Sequence, residues 1–142
     1  MIKKIALAAV LAASSAVSAQ AATVYASEVV SFESKGYVAP DRMDTASALG
    51  AADGKFYSLG LGGSIVLGFS SLVSGVGSVS EVTYNRTNYF EDALVRTSLD
   101  GVTWSSIIKV GNQDPNGVSS IQAGTSPFKY IEFVDASPAG QD

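Results

Sequence analysis

The sequence contains no cysteine and no histidine. Without cysteine it has no disulfide to staple the fold and no thiol chemistry. Without histidine it cannot build a Ser-His-Asp triad, a Cys-His pair or a His-ligated zinc site. Basic residues are also scarce, nine Lys and Arg against thirteen Asp and Glu. Two of the nine are Lys3 and Lys4, so beyond residue 21 the balance is 7 − 13 = −6. Nucleic acids and anionic membranes both call for cationic patches, and this balance argues against them as partners. No long apolar run is present either. The stretch Ile5 to Val17 is short and alanine-rich, below the roughly 20 strongly apolar residues of a spanning helix. With Lys3-Lys4 before it and Ala19-Gln20-Ala21 after it, it reads as a cleavable signal peptide over residues 1–21. The expectation is bacterial export to a secreted or cell-surface location, with residues 22–142 forming one domain able to build a single core.

What is present beyond residue 21 reads as β throughout. Thr23 to Phe32 is rich in Val, Tyr and Thr. Lys55 to Leu59 and Ser64 to Phe69 are apolar runs joined by Gly60-Leu-Gly-Gly63, which suits a tight reversal. Val79 to Tyr84 alternates, with Val82 and Tyr84 on one side. Asp92 to Leu99 and Val102 to Val110 flank Asp100-Gly101, a pair suited to a type I′ hairpin turn. Lys129 to Val134 alternates again, with Ile131 and Phe133 on one face, as Ile65, Leu67 and Phe69 share a face earlier. Turn signals recur about every 8–12 residues, the spacing of a sandwich or barrel. Asp44 to Ala52 is the one piece that could form a helical turn, and Gly50 and Gly54 limit its length. The expected fold is an all-β antiparallel sandwich.

Three motifs in this order carry a resemblance: a polar loop ending Ala48-Leu-Gly-Ala-Ala-Asp-Gly54 before an apolar strand, then Ser98-Leu-Asp-Gly-Val-Thr-Trp104, then Tyr130-Ile-Glu-Phe-Val-Asp135. Together they resemble the discoidin-like, galactose-binding-like jelly rolls of exported bacterial proteins, many of which carry a PEP-CTERM (VPLPA-type) sorting tail. The resemblance spans about Val24 to Asp142. It implies a surface or matrix protein, in a fold whose relatives bind carbohydrate or hold calcium. Two features depart from the family pattern. Ala52 stands where the family has proline, and a further Gly-Phe-Asp strand and sorting tail are expected after Asp142. A domain lacking that strand would leave an exposed edge open to pairing with another chain.

The resemblance brings the early loop and the late segment together, and hard oxygen ligands from such loops suit calcium. Asp41, Asp44, Asp53 and Asp135 are the candidate ligands for a structural Ca²⁺, with turn capping as the ordinary role of loop aspartates. No organic cofactor is expected. Sugar sites need aromatic faces together with hydrogen-bonding side chains. Tyr37, Arg42, Tyr57, Asn85, Arg86, Tyr89 and Trp104 are the candidates, the densest cluster being Asn85-Arg-Thr-Asn-Tyr89. Trp104 can equally cover the sandwich edge. Glu91-Asp92 cannot be a glycosidase pair, because neighbours on a strand point to opposite faces. The expected function is a non-enzymatic exported surface or matrix domain with a structural or adhesive role, its partners extracellular polysaccharide or surface proteins. The alternative is a carbohydrate-binding module that uses loops at one end of the sandwich.

Overall fold

The computed structural model describes residues 22–80, 90–111, 118–122 and 126–138. These contain seven strands: β1 (Glu28–Glu33), β2 (Ser64–Val73), β3 (Val76–Ser80), β4 (Asp92–Ser98), β5 (Ile108–Gly111), β6 (Val118–Gln122) and β7 (Phe128–Asp135). There is no α-helix among the described residues; two 3₁₀ turns, Pro40–Arg42 and Thr45–Ala48, lie between β1 and β2. Five strands form an antiparallel sheet in the order β1-β2-β7-β4-β5, and β3 pairs with β6 in a second, antiparallel sheet. The all-β antiparallel sandwich expected from the turn spacing is the fold.

The pleat sends alternate residues to opposite faces, and the register aligns the inward ones. One row crosses all five strands: Phe32, Ile65, Phe133, Val95 and Ile108 are successive cross-strand partners. The next row runs Val29, Leu67, Ile131, Thr97. Ile65, Leu67, Val95, Val110 and Ile131 meet Ile121 of the small sheet in one buried cluster, with Val79 and Phe69 packed against it. Val95, wholly buried, is its centre. Burying one such side chain contributes about 1.5–3 kcal/mol. Phe69 closes one end of the cluster edge-on against Phe128, ring centroids 5.6 Å apart.

Several expectations are corrected. The strand expected from Thr23 begins only at Glu28, because the Ala26 carbonyl accepts the Gly50 N–H of the long loop instead of joining the β2 ladder. Lys55 to Leu59 is not a strand. Both edges of β2 are taken, by β1 and β7, so the segment before it does not pair with β2. The reversal itself is present, with the Gly63 N–H donating to the Gly60 carbonyl at 2.9 Å. Around Asp100-Gly101 the turn is wider than a two-residue hairpin: Ser98 bridges Trp104, enclosing Leu99 to Thr103. Side chains satisfy that loop. Asp100 Oδ1 accepts from Val102 N at 2.8 Å and Thr103 N at 2.7 Å. Ser98 Oγ accepts from Gly101 N at 2.9 Å and donates to Thr103 O at 2.6 Å. Val82 and Tyr84 lie outside the described residues, as do residues 1–21, the segment expected to be a signal peptide. β6 was not anticipated, since Val-Ser-Ser-Ile-Gln shows only two apolar positions.

The ends of the sheet position the loops. Glu33 pairs with Ser64, Ser64 with Val134, and Ala93 with Asp135. Residues 34–63 therefore leave and re-enter the sheet at the end where β7 finishes and β4 begins. β7 has β2 and β4 on its two sides. Within the sheet the edge strands are β1, whose Val30 sits at a bulge, and β5.

Candidate functional site in the long loop

The loop from β1 to β2 is shaped by its own side chains. Pro40 opens the first 3₁₀ turn, where its fixed φ and missing N–H cost nothing. Asp44 caps the second, Oδ1 accepting from Ala46 N at 3.0 Å. That turn sets Ala48 and Leu49 against the core. Asp53 Oδ1 accepts from Lys55 N at 3.0 Å, an Asx turn completed by Gly54 at φ +83°. The returning limb is drawn to the first by the Ser58 N–H on the Arg42 carbonyl, 3.0 Å. At the base Gly60, φ +70°, lies so close to Lys35 that a Cβ would overlap the Lys35 carbonyl oxygen.

Between the two limbs is a cleft of about 430 Å³ lined by Asp41, Arg42, Asp44, Ser47, Gly54, Lys55 and Phe56. Two carboxylates and two cations balance, with Arg42 Nε 3.8 Å from Asp41 Oδ1. Carboxylates only accept hydrogen bonds, Arg and Lys only donate, and the Ser47 hydroxyl does both. Phe56 adds an apolar wall. Such a lining can bind a polyhydroxylated molecule of modest size without a net charge.

The structure thus brings Asp41, Arg42 and Asp44 together and separates the other candidates. Tyr57 spends its hydroxyl on Ser34 Oγ at 2.8 Å and sets its ring edge-on to Phe32, outside the cleft lining. Tyr37 is 88% exposed, also outside that lining. Asn85, Arg86 and Tyr89 lie outside the described residues. Trp104 stands beyond the far end of β4, bridged to Ser98, with the Arg96 guanidinium carbon 5.0 Å from its ring centroid. Ser47, Lys55 and Phe56 were missed. Reading Lys55 to Leu59 as a strand hid Lys55 and Phe56; the signal was Asp53-Gly54, which starts the turn that presents those two.

The structure does not group the four aspartates expected as calcium ligands. Asp44 and Asp53 each give an oxygen to their own backbone. Asp135 is engaged elsewhere: Oδ2 accepts from Gly62 N at 2.7 Å and Oδ1 from the Ser137 hydroxyl at 2.6 Å. The Asp135 N–H also reaches the Gly63 carbonyl at 2.9 Å. The late segment thus meets the base of the 34–63 loop, at Gly62 and Gly63, through direct hydrogen bonds. Among the described residues no three acidic side chains group as a metal site.

Two charged groups are displaced from their ordinary titration. Backbone donors from Thr103 and Val102 hold the Asp100 carboxyl down to about 2. The hydrogen bond to Glu132 raises Arg96 above the usual guanidinium value.

No protein-family model and no curated protein matches the sequence. Solved structures do. The CBM32 of AlyQ, in complex with 4,5-unsaturated mannuronic acid, aligns over 84% of this chain and 90% of its own, with a TM-score of 0.51 and 13% identity. The C-terminal domain of a chitobiase from Bacteroides fragilis aligns over 81% of this chain and 84% of its own, with a TM-score of 0.52 and 17% identity. CpGH89CBM32-5 from Clostridium perfringens, in complex with GalNAc-β-1,3-galactose, is matched over 57% of this chain. This chain spans 59% of that one, at 13% identity and a TM-score of 0.44. The first two share the galactose-binding-like sandwich with this chain.

Proposed function

We propose that this chain is a carbohydrate-binding module that holds a sugar in the cleft of the 34–63 loop. The observation that carries the reading is the cleft itself: charges of both signs, a hydroxyl and Phe56 around about 430 Å³, on a sandwich built like the CBM32 of AlyQ. The likeness to the CBM32 of AlyQ favours the binding reading over a purely structural or adhesive one. The assigned roles are donation to hydroxyl oxygens by Arg42 and Lys55, acceptance from hydroxyl protons by Asp41 and Asp44, and contact with C–H groups by Phe56. The role is binding without catalysis. Export is part of the proposal and rests on the pattern of residues 1–21; membership of the PEP-CTERM group rests on the motif resemblance alone.

A glycan array carrying neutral and uronic glycans tests the proposal, followed by calorimetry on the hits. Binding that weakens at least about tenfold in Arg42→Ala, the scale of one lost charge-assisted hydrogen bond, is the expected result. A blank array overturns the proposal.

A further inference from the structure

The outer face of the five-stranded sheet carries a cluster that the cleft does not use. Val95 and Ile131 face the core, so Leu94, Arg96, Glu132 and Val134 face outward. Leu94 is opposite Val134, and Arg96 is opposite Glu132. Charged side chains on such a face ordinarily reach into water. Here the Glu132 side chain is only 13% exposed. Its Oε2 accepts from Arg96 Nε, and the guanidinium lies over the Trp104 ring. A carboxylate and an aromatic ring thus fix the arginine fork through one nitrogen and one face. The hydrogen bond to Glu132 uses Nε, and the two Nη groups are the donors that the proposal below assigns to a ligand. Beside the pair a hollow of about 80 Å³ is lined by Leu94, Arg96, Ile107, Glu132 and Val134.

We propose that this cluster is a second sugar site, one that takes a neutral pyranose unit. The inference rests on the carbohydrate-binding reading of the chain and does not depend on the cleft. Arg96 only donates and Glu132 only accepts, while each sugar hydroxyl does both, so adjacent hydroxyls can be shared between the two with charge-assisted bonds. An anionic sugar would bring its carboxylate against that of Glu132. The hollow is about half of the ~150 Å³ that holds a benzene ring, so it admits a hydroxymethyl group and not a ring. The ring's C–H face then rests on Ile107, itself exposed, and on the Trp104 side of the pair. Two sites on one chain would let it bridge polysaccharide strands.

Trp104 is the only tryptophan, so its emission reads this site and not the cleft. The probes are galactose, glucose, mannose and their β-1,4-linked disaccharides, with galacturonate as the anionic comparison. The expected result is a saturable emission change with a neutral sugar and binding at least about tenfold weaker for galacturonate. Arg96→Lys keeps the charge and loses the fork, and should weaken the response about tenfold, with circular dichroism verifying the fold. Arg42→Ala should leave the response unchanged. No saturable change with any neutral probe overturns the second site; if calorimetry still detects one bound sugar, the cleft proposal survives it. Tighter binding of galacturonate, or a response abolished by Arg42→Ala and spared by Arg96→Lys, also overturns it.

Discussion

Gly60→Ala should destabilise the domain far more than Gly50→Ala, although both glycines have left-handed φ, +70° and +80°. For an L-residue that conformation costs about 1–2 kcal/mol, a cost common to both. At Gly50 nothing lies within 4 Å of a built Cβ. At Gly60 the Cβ would overlap the Lys35 carbonyl oxygen and come within 2.8 Å of Val38 Cγ2. The base of the loop must then open, which strains the reversal that Gly60 shares with Gly63. Losing that hydrogen bond costs about 1 kcal/mol, and displacing packed backbone costs about 1–3 kcal/mol more. The expected penalties are about 3–6 kcal/mol for Gly60→Ala and about 1–2 kcal/mol for Gly50→Ala, against a total stability of about 5–15 kcal/mol. Urea denaturation with both midpoint and slope fitted measures the difference. Equal penalties for the two variants would refute the close-approach reasoning, and with it the account of how the two limbs of the cleft are held.

Asp135→Ala should cost about 2–3 kcal/mol, since it strips the acceptor from Gly62 N and the Ser137 hydroxyl, while a chelator should leave the melting temperature of the parent unchanged. A chelator-induced drop would show a metal where direct hydrogen bonds are described. Asp100 should contribute stability that is full above its unfolded value of about 4 and is lost as pH falls through its folded value of about 2. Melting curves of the parent and Asp100→Asn should therefore converge towards pH 2; convergence already complete at pH 4 would contradict the capping geometry.

The strands were legible in the sequence where apolar residues alternate on both sides of a buried row. Ile65 and Leu67, Ile131 and Phe133, and the Asp92 start of β4 all stand where the pattern puts them. β6 escaped because a strand paired only within a small sheet buries few side chains and needs few apolar residues. Lys55 to Leu59 was misread for a different reason: strand propensity is local, but the edges of β2 were already filled by β1 and β7, which only the topology shows. The site was half legible. Asp41, Arg42 and Asp44 were singled out from their loop context, but their convergence with Lys55 and Phe56 depends on the Ser58–Arg42 backbone bond, which leaves no signature in residue type. Asp135 was singled out as a calcium ligand beside the early loop; in the structure it accepts the Gly62 N–H at the base of that loop, and a carboxylate that accepts backbone N–H groups has the same sequence appearance as a ligand.

The most direct test of sugar binding in the loop cleft is an amide chemical-shift map recorded while a glycan that hits on the array is titrated in. The account predicts saturable shifts concentrated at Asp41, Arg42, Asp44, Ser47, Gly54, Lys55 and Phe56, and their loss in Arg42→Ala with the remaining spectrum intact. Saturable shifts that avoid these residues, or that persist in Arg42→Ala, would contradict it.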